Sequence, residues 1–103
     1  MASTLDRRLE LHEILSNICE RCEFSPPADI QLDYPCILYD RVNNVVDYAD
    51  NKPYNMMTRY TITVIDPDPD SEIVPQIEQL PMCSYDRHFE TNNLNHDIFT
   101  IYY

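Results

Sequence analysis

Four carboxylates in a short run, Asp66, Asp68, Asp70 and Glu72, are the first place to look for chemistry in this chain. Their opening spacing, D-x-D-x-D, matches the start of a calcium loop. The rest does not. Ser71 stands where such a loop needs glycine for its sharp turn, Pro67 and Pro69 fill the intervening places, and Ile77 occupies the position of the bidentate glutamate. The run reads as a solvated acidic turn leading into a helix. Cys19-Glu-Arg-Cys22 has the spacing of a metal-binding pair, but Cys36 and Cys83 are single residues inside strand-like segments and supply no second pair. The thiols read as small buried hydrophobes. His12, His88 and His96 are acid–base candidates without a nucleophile motif beside them, and His12 lies on an apolar stripe as a packing residue. No catalytic, metal or cofactor set emerges, and the expectation is a protein that is not an enzyme.

The segment that positions the acidic run is the clearest strand in the chain. In Thr58–Asp66, Tyr60, Ile62 and Val64 fall on one face and Arg59, Thr61 and Thr63 on the other. It ends at Pro67 and Pro69, which cannot donate to a sheet ladder. Residues 4–21 read as an amphipathic helix with Leu5, Leu9, His12, Leu15 and Cys19 in one stripe, Leu11, Ile18 and Cys22 on its flank, and Ile14 opposite. Residues 24–34, containing Pro26-Pro27, form an irregular connector. Cys36–Tyr39, apolar on both faces, reads as an internal strand. Asn43-Asn44 suggests a tight hairpin to a strand at 45–49, followed by a loop at 50–57. Residues 71–80 read as a second helix whose acidic first turn suits its dipole, with Pro75 tolerated only near its start. Two strands, 83–89 and 96–103, joined through Asn92-Asn93, finish the chain. The order α-β-β-β-α-β-β predicts an α+β fold, with two helices against a largely antiparallel sheet.

Composition narrows the function further. At 103 residues the chain reads as one domain, and an apolar content of 44% supports a core. No apolar run suits a membrane span or a signal peptide, so a soluble chain without a membrane partner is expected. Eighteen acids against seven bases give a net charge of −11, which disfavours binding along a nucleic-acid backbone. Glycine is absent, which excludes Gly-rich phosphate loops and leaves turns of positive φ to Asn and Asp: Asn43-Asn44, Asp50-Asn51 and Asn92-Asn93.

Five segments taken together carry a resemblance: Tyr34-Pro-Cys-Ile-Leu-Tyr39, Tyr48-Ala-Asp-Asn-Lys-Pro-Tyr54, Arg59-Tyr-Thr-Ile-Thr-Val-Ile-Asp-Pro-Asp-Pro-Asp-Ser-Glu-Ile73, Cys83-Ser-Tyr-Asp-Arg-His-Phe89 and Asn93-Leu-Asn-His-Asp-Ile-Phe-Thr-Ile-Tyr-Tyr103. As a set they resemble the tail-terminator, or tail-completion, proteins of bacteriophages with long non-contractile tails. The resemblance implies a hexameric ring in the virion, at the head–tail junction, assembled in the host cytoplasm. Such a ring caps the tube built by the major tail tube protein, ends its polymerisation, and meets the head completion or stopper protein on its other face. Genomic DNA passes through without specific binding. Six copies at −11 each carry −66, which keeps DNA from sticking in transit.

Within that reading, Tyr48, Asn51, Tyr54, Met56 and Met57 are candidate contacts to a neighbouring subunit or the tube, since aromatics and methionine favour interfaces. Asp66, Asp68, Asp70 and Glu72 are the candidate acidic ring surface. Two alternatives from other classes stand beside it: an acidic mimic of DNA that occupies the basic groove of a host nucleic-acid-binding protein, and a metal-dependent enzyme using the 66–72 carboxylates.

Overall fold

A computed structural model describes residues 4–27, 31–49 and 52–103, with side chains described for 7–27, 31–42 and 58–103. The elements are α1 (Thr4–Ile18), β1 (Cys22–Phe24), β2 (Cys36–Ala49), β3 (Lys52–Asp66), α2 (Ile73–Glu78), β4 (Cys83–Thr91) and β5 (Leu94–Tyr102). They form one five-stranded sheet in the order β1-β2-β3-β5-β4. Only the β1–β2 pair is parallel. The fold is α+β with the expected element order.

The core follows the alternation of the strands. Ile37 and Tyr39 of β2, Tyr60, Ile62 and Val64 of β3, and Phe99 and Ile101 of β5 point to one face, and there they meet Leu11 and Leu15 of α1 and Ile73 and Ile77 of α2. Tyr39, Tyr60 and Phe24 pack edge to face, with ring centroids 5.0–6.5 Å apart. The other face of the sheet carries Cys36, Ile65 and Ile98 among Thr61, Thr63 and Thr100. β4 is an edge strand whose residues are almost all exposed. A register shift between Tyr85 and Arg87, with charges on either side, blunts that edge against further pairing.

Several elements differ from expectation. The stripe of α1 that faces the core is Leu11, Leu15 and Ile18, while Leu9 is 51% exposed. Ile14, placed opposite by the sequence, is half-buried beside Leu11 in an apolar groove. The helix ends at Ile18, and Cys22 belongs to a short strand inside what reads as connector. Asn43-Asn44 is not a turn; β2 runs through it to Ala49, and Ala49 pairs with Lys52. The expected loop 50–57 is therefore strand from Lys52 onward. Pro53, a local breaker, is accommodated where the register shifts between Asp47 and Tyr48, on strands with no further partner among the described residues to need its missing N–H. Asn92 and Asn93, at φ 54° and 62°, do form the two-residue turn expected of them. α2 is shorter than expected, so Glu72 is its N-cap and its first turn holds no acid. Pro75 sits in that first turn, where a missing N–H is harmless.

The hydroxyl of Tyr60, a residue 1% exposed, has no hydrogen-bond partner among the described residues. Removing an orphaned buried hydroxyl while keeping the ring relieves its desolvation cost. Tyr60→Phe is expected to raise stability by about 1 kcal/mol in urea denaturation. A loss of that size would mean that the hydroxyl is satisfied.

Candidate assembly surfaces

Beyond the body of the sheet, β2 and β3 continue with no further strand partner among the described residues. Pairing of β3 with β5 stops at Arg59 opposite Tyr102, and the Tyr103 N–H donates to the Thr58 carbonyl at 3.0 Å. Pairing of β2 with β3 goes on from Asn44–Thr58 to Ala49–Lys52. The result is a two-stranded ribbon roughly 20 Å long at about 3.3 Å per residue. It accounts for the 50 × 23 × 22 Å proportions of the chain. An isolated two-stranded ribbon is only marginally stable in water. Tyr48, Tyr54, Met56 and Met57 fall within the ribbon's strands, their side chains outside those described; Asn51 lies outside the described residues altogether.

The acidic run sits at the opposite end of β3. Asp66 Oδ1 accepts from the Asp68 N–H at 2.8 Å, and Asp68 Oδ1 accepts from the Asp70 N–H at 2.9 Å. The carboxylates thus turn back on their own backbone instead of converging on a cation. Asn95 Nδ2 donates to the carbonyls of Asp66 and Pro67, both at 3.3 Å, and Ser71 Oγ accepts from the Ile73 N–H at 3.2 Å. Asp68, Asp70 and Glu72 stand at the surface. Asp66 does not: it is 9% exposed and anchors the turn from within. Among the described residues no group of three His, Cys, Asp or Glu side chains is arranged to hold a metal.

The histidines are dispersed. His12 shares a 2.6 Å hydrogen bond between Nδ1 and the Tyr39 hydroxyl under α1. His88 reaches Asn95 Oδ1 at 3.2 Å, and His96 stacks on Phe89 at 4.6 Å on the other side of the sheet. Cys19 and Cys22 are buried in the core, and Cys36 lies just beyond them. Burial pushes the Cys22 thiol up to about 12 and the Cys36 thiol up to about 11, with the neighbouring Cys19 adding to both. Such thiols are poor nucleophiles at neutral pH. The Tyr85 hydroxyl donates to Asp97 Oδ1 at 2.9 Å, and its pKa is raised by partial desolvation and by that bond.

Two features escape a reading of the sequence alone. Arg7, Arg8, Arg41 and Arg59, four of the seven bases, gather where the ribbon leaves the sheet. Arg7 Nε donates to the Tyr103 carbonyl at 3.0 Å and its guanidinium lies 5.1 Å from the Tyr103 ring. Arg8 and Arg41 approach the Phe24 ring at 4.4 and 6.0 Å. Arg59, opposite Tyr102, carries a buried Nε without a partner among the described residues. On the Arg7 and Tyr103 side of α1 lies an open groove of about 240 Å³, lined by Leu11, Ile14, Leu80, Met82, Ile101 and Tyr103 among others. Only the strand register brings these distant positions together. A scan against protein-family models finds no match to the chain, and a search of curated proteins finds none either.

Proposed function

We propose that this chain is a structural subunit of a phage virion, one wedge of a hexameric ring at the head-proximal end of a non-contractile tail. The ring ends polymerisation of the tube and joins the tail to the head completion protein. The observation that supports this reading is the β2–β3 ribbon, which among the described residues extends past the pairing of the three other strands. A protein working by shape needs such a reach; one working by chemistry needs convergent groups. The charge distribution favours it over a DNA mimic. A mimic requires rows of acid spaced like phosphates, whereas here exposed acids are interleaved with bases: Arg21 stands with Glu20, Glu23 and Asp33 at one end of the sheet, and Glu10 and Asp40 stand with Arg7 and Arg41 at the other.

Reconstruction of purified particles containing this chain tests the proposal. A closed six-membered annulus at the proximal end of the tail is the expected result. Density for the chain anywhere else, or in an open arrangement, overturns it.

A further inference from the structure

Three of the four thiols gather behind the end of α1, brought there by three different elements. Cys19 follows the last helical residue, Cys22 opens β1 and Cys36 opens β2. Cys19 Sγ lies 3.8 Å from the Arg21 carbonyl oxygen and 3.6 Å from that of Pro35, the carbonyls that immediately precede the other two cysteines. It therefore stands one peptide unit from each. The Arg21 carbonyl also accepts from the Ile37 N–H at 2.8 Å, which ties this turn to β2.

The register decides which pair can join. Cys22 is opposite Ile37 in the parallel β1–β2 pair, so it shares with Ile37 and Tyr39 the face that lies under α1. Cys36, one residue before Ile37, points to the other face. Thiols on opposite faces of a sheet do not meet, because a disulfide needs Cβ atoms about 3.5–4.5 Å apart. Cys19 and Cys22 lie on one side, both within the core cluster, and Cys36 is outside it. The Ser16 hydroxyl is in hydrogen-bonding reach of Cys22, and the Cys19 N–H continues the helical ladder to the Leu15 carbonyl at 2.9 Å. Ser16 is thus one turn before Cys19 on the same face, and both sulfurs reach the same stretch of α1.

We propose that Cys19 and Cys22 are the two halves of a reversible disulfide, open in a reducing cytosol and closed once the protein reaches oxidising surroundings. The inference stands apart from the ring reading. Closure by a small-molecule disulfide such as oxidised glutathione runs in two exchanges. The Cys19 thiolate attacks one glutathione sulfur and releases the other glutathione as its thiolate. The Cys22 thiol then gives its proton to water and attacks the Cys19 sulfur, releasing the second glutathione. Two protein thiols are oxidised and one external disulfide is reduced to two thiols. β1 is three residues long and sits at the edge of the sheet, so local opening exposes these thiols without unfolding the domain. The closed form returns to the core at less cost than a thiolate, since a disulfide carries no charge to desolvate. The bridge closes a very short loop, so it constrains the unfolded chain weakly and yields to an excess of cytosolic thiol.

The test takes the full chain, fully reduced and then incubated with oxidised glutathione at neutral pH. The expected product is a chain that has lost two hydrogen atoms by mass spectrometry, with both restored by an excess of reduced glutathione. Trypsin cuts after Arg21 and a glutamate-specific protease after Glu23, which separates the three cysteines, and mapping is expected to find Cys19 joined to Cys22. Cys36→Ala is expected to keep the bridge. Cys19→Ser, at a residue 9% exposed beyond the helix end, is expected to lose it while circular dichroism shows the fold retained. In the closed chain Cys22 has no proton to give up. The fall of the urea midpoint between pH 9 and 11 is therefore expected to shrink by about half, with Cys36 accounting for the rest. A mass that does not change, a stable glutathione adduct, a bridge mapped to Cys36 or between two chains, or an alkaline decline as steep after oxidation as before it overturns the proposal.

Discussion

Deleting residues 45–56, with a two-residue Asp-Asn turn joining Asn44 to Met57, is expected to leave a folded chain that no longer assembles. Pairing of β3 with β5 reaches only to Arg59, and Asn44–Thr58 is the last pair at the root of the ribbon, so the deletion leaves the five-stranded pairing intact. Stability should fall by less than about 2 kcal/mol, because a ribbon without a third strand or a helix to cover it contributes little to the monomer. Assembly should fall far more. If each contact between neighbours loses about 3 kcal/mol, pairwise affinity drops by roughly two orders of magnitude. A closed ring repeats that loss at every joint. Circular dichroism melts and electron microscopy of the assembled material measure the two effects separately. A truncated chain that unfolds would make the ribbon part of the fold, and one that still forms rings would free it of any role as a contact.

That segment is also where the sequence is least legible, and the reason is physical. Period-two alternation is readable in Thr58–Asp66 because one face of it is buried: Tyr60, Ile62 and Val64 are each at most 1% exposed. Asn43-Asn44 looks like a turn and Pro53 like a break by local residue type, although both lie in strands fixed by the pairing of β2 with β3. β1 is three residues long and owes its existence to parallel pairing with Ile37–Tyr39, a partner that no local signal reveals. In α1 Leu9 draws the apolar stripe towards a face that is exposed, because the helix carries two overlapping apolar stripes and the sheet chooses Leu11 and Leu15. The acidic turn is legible because prolines and aspartates act locally. The arginine end is not, since positions 7, 8, 41 and 59 meet only once the register of the long hairpin is set.

The second large effect concerns pH and comes from the thiols behind α1. Cys22 has its pKa raised from the ordinary 9.0 to about 12, chiefly because burial penalises the thiolate, with Cys19 and Glu23 adding to the cost. Between those two values the unfolded chain gives up the proton and the folded chain keeps it. The folded state then binds more protons, so stability is complete below about pH 9 and declines as pH rises towards 12. The slope is about 1.4 kcal/mol per pH unit, or roughly 4 kcal/mol over the whole interval, on a total of about 5–15 for a domain. Cys36, raised to about 11, works in the same direction, and because both thiols sense Cys19 their effects do not simply add. Urea midpoints should therefore fall steeply from pH 9 to 11. Cys22→Ala is expected to cost about 1 kcal/mol at pH 7 through the small cavity it leaves, yet to flatten the alkaline decline. A wild-type midpoint that does not move over this interval would mean that the thiolate forms as readily in the folded chain as in the unfolded one, which a side chain 7% exposed in an apolar core does not allow.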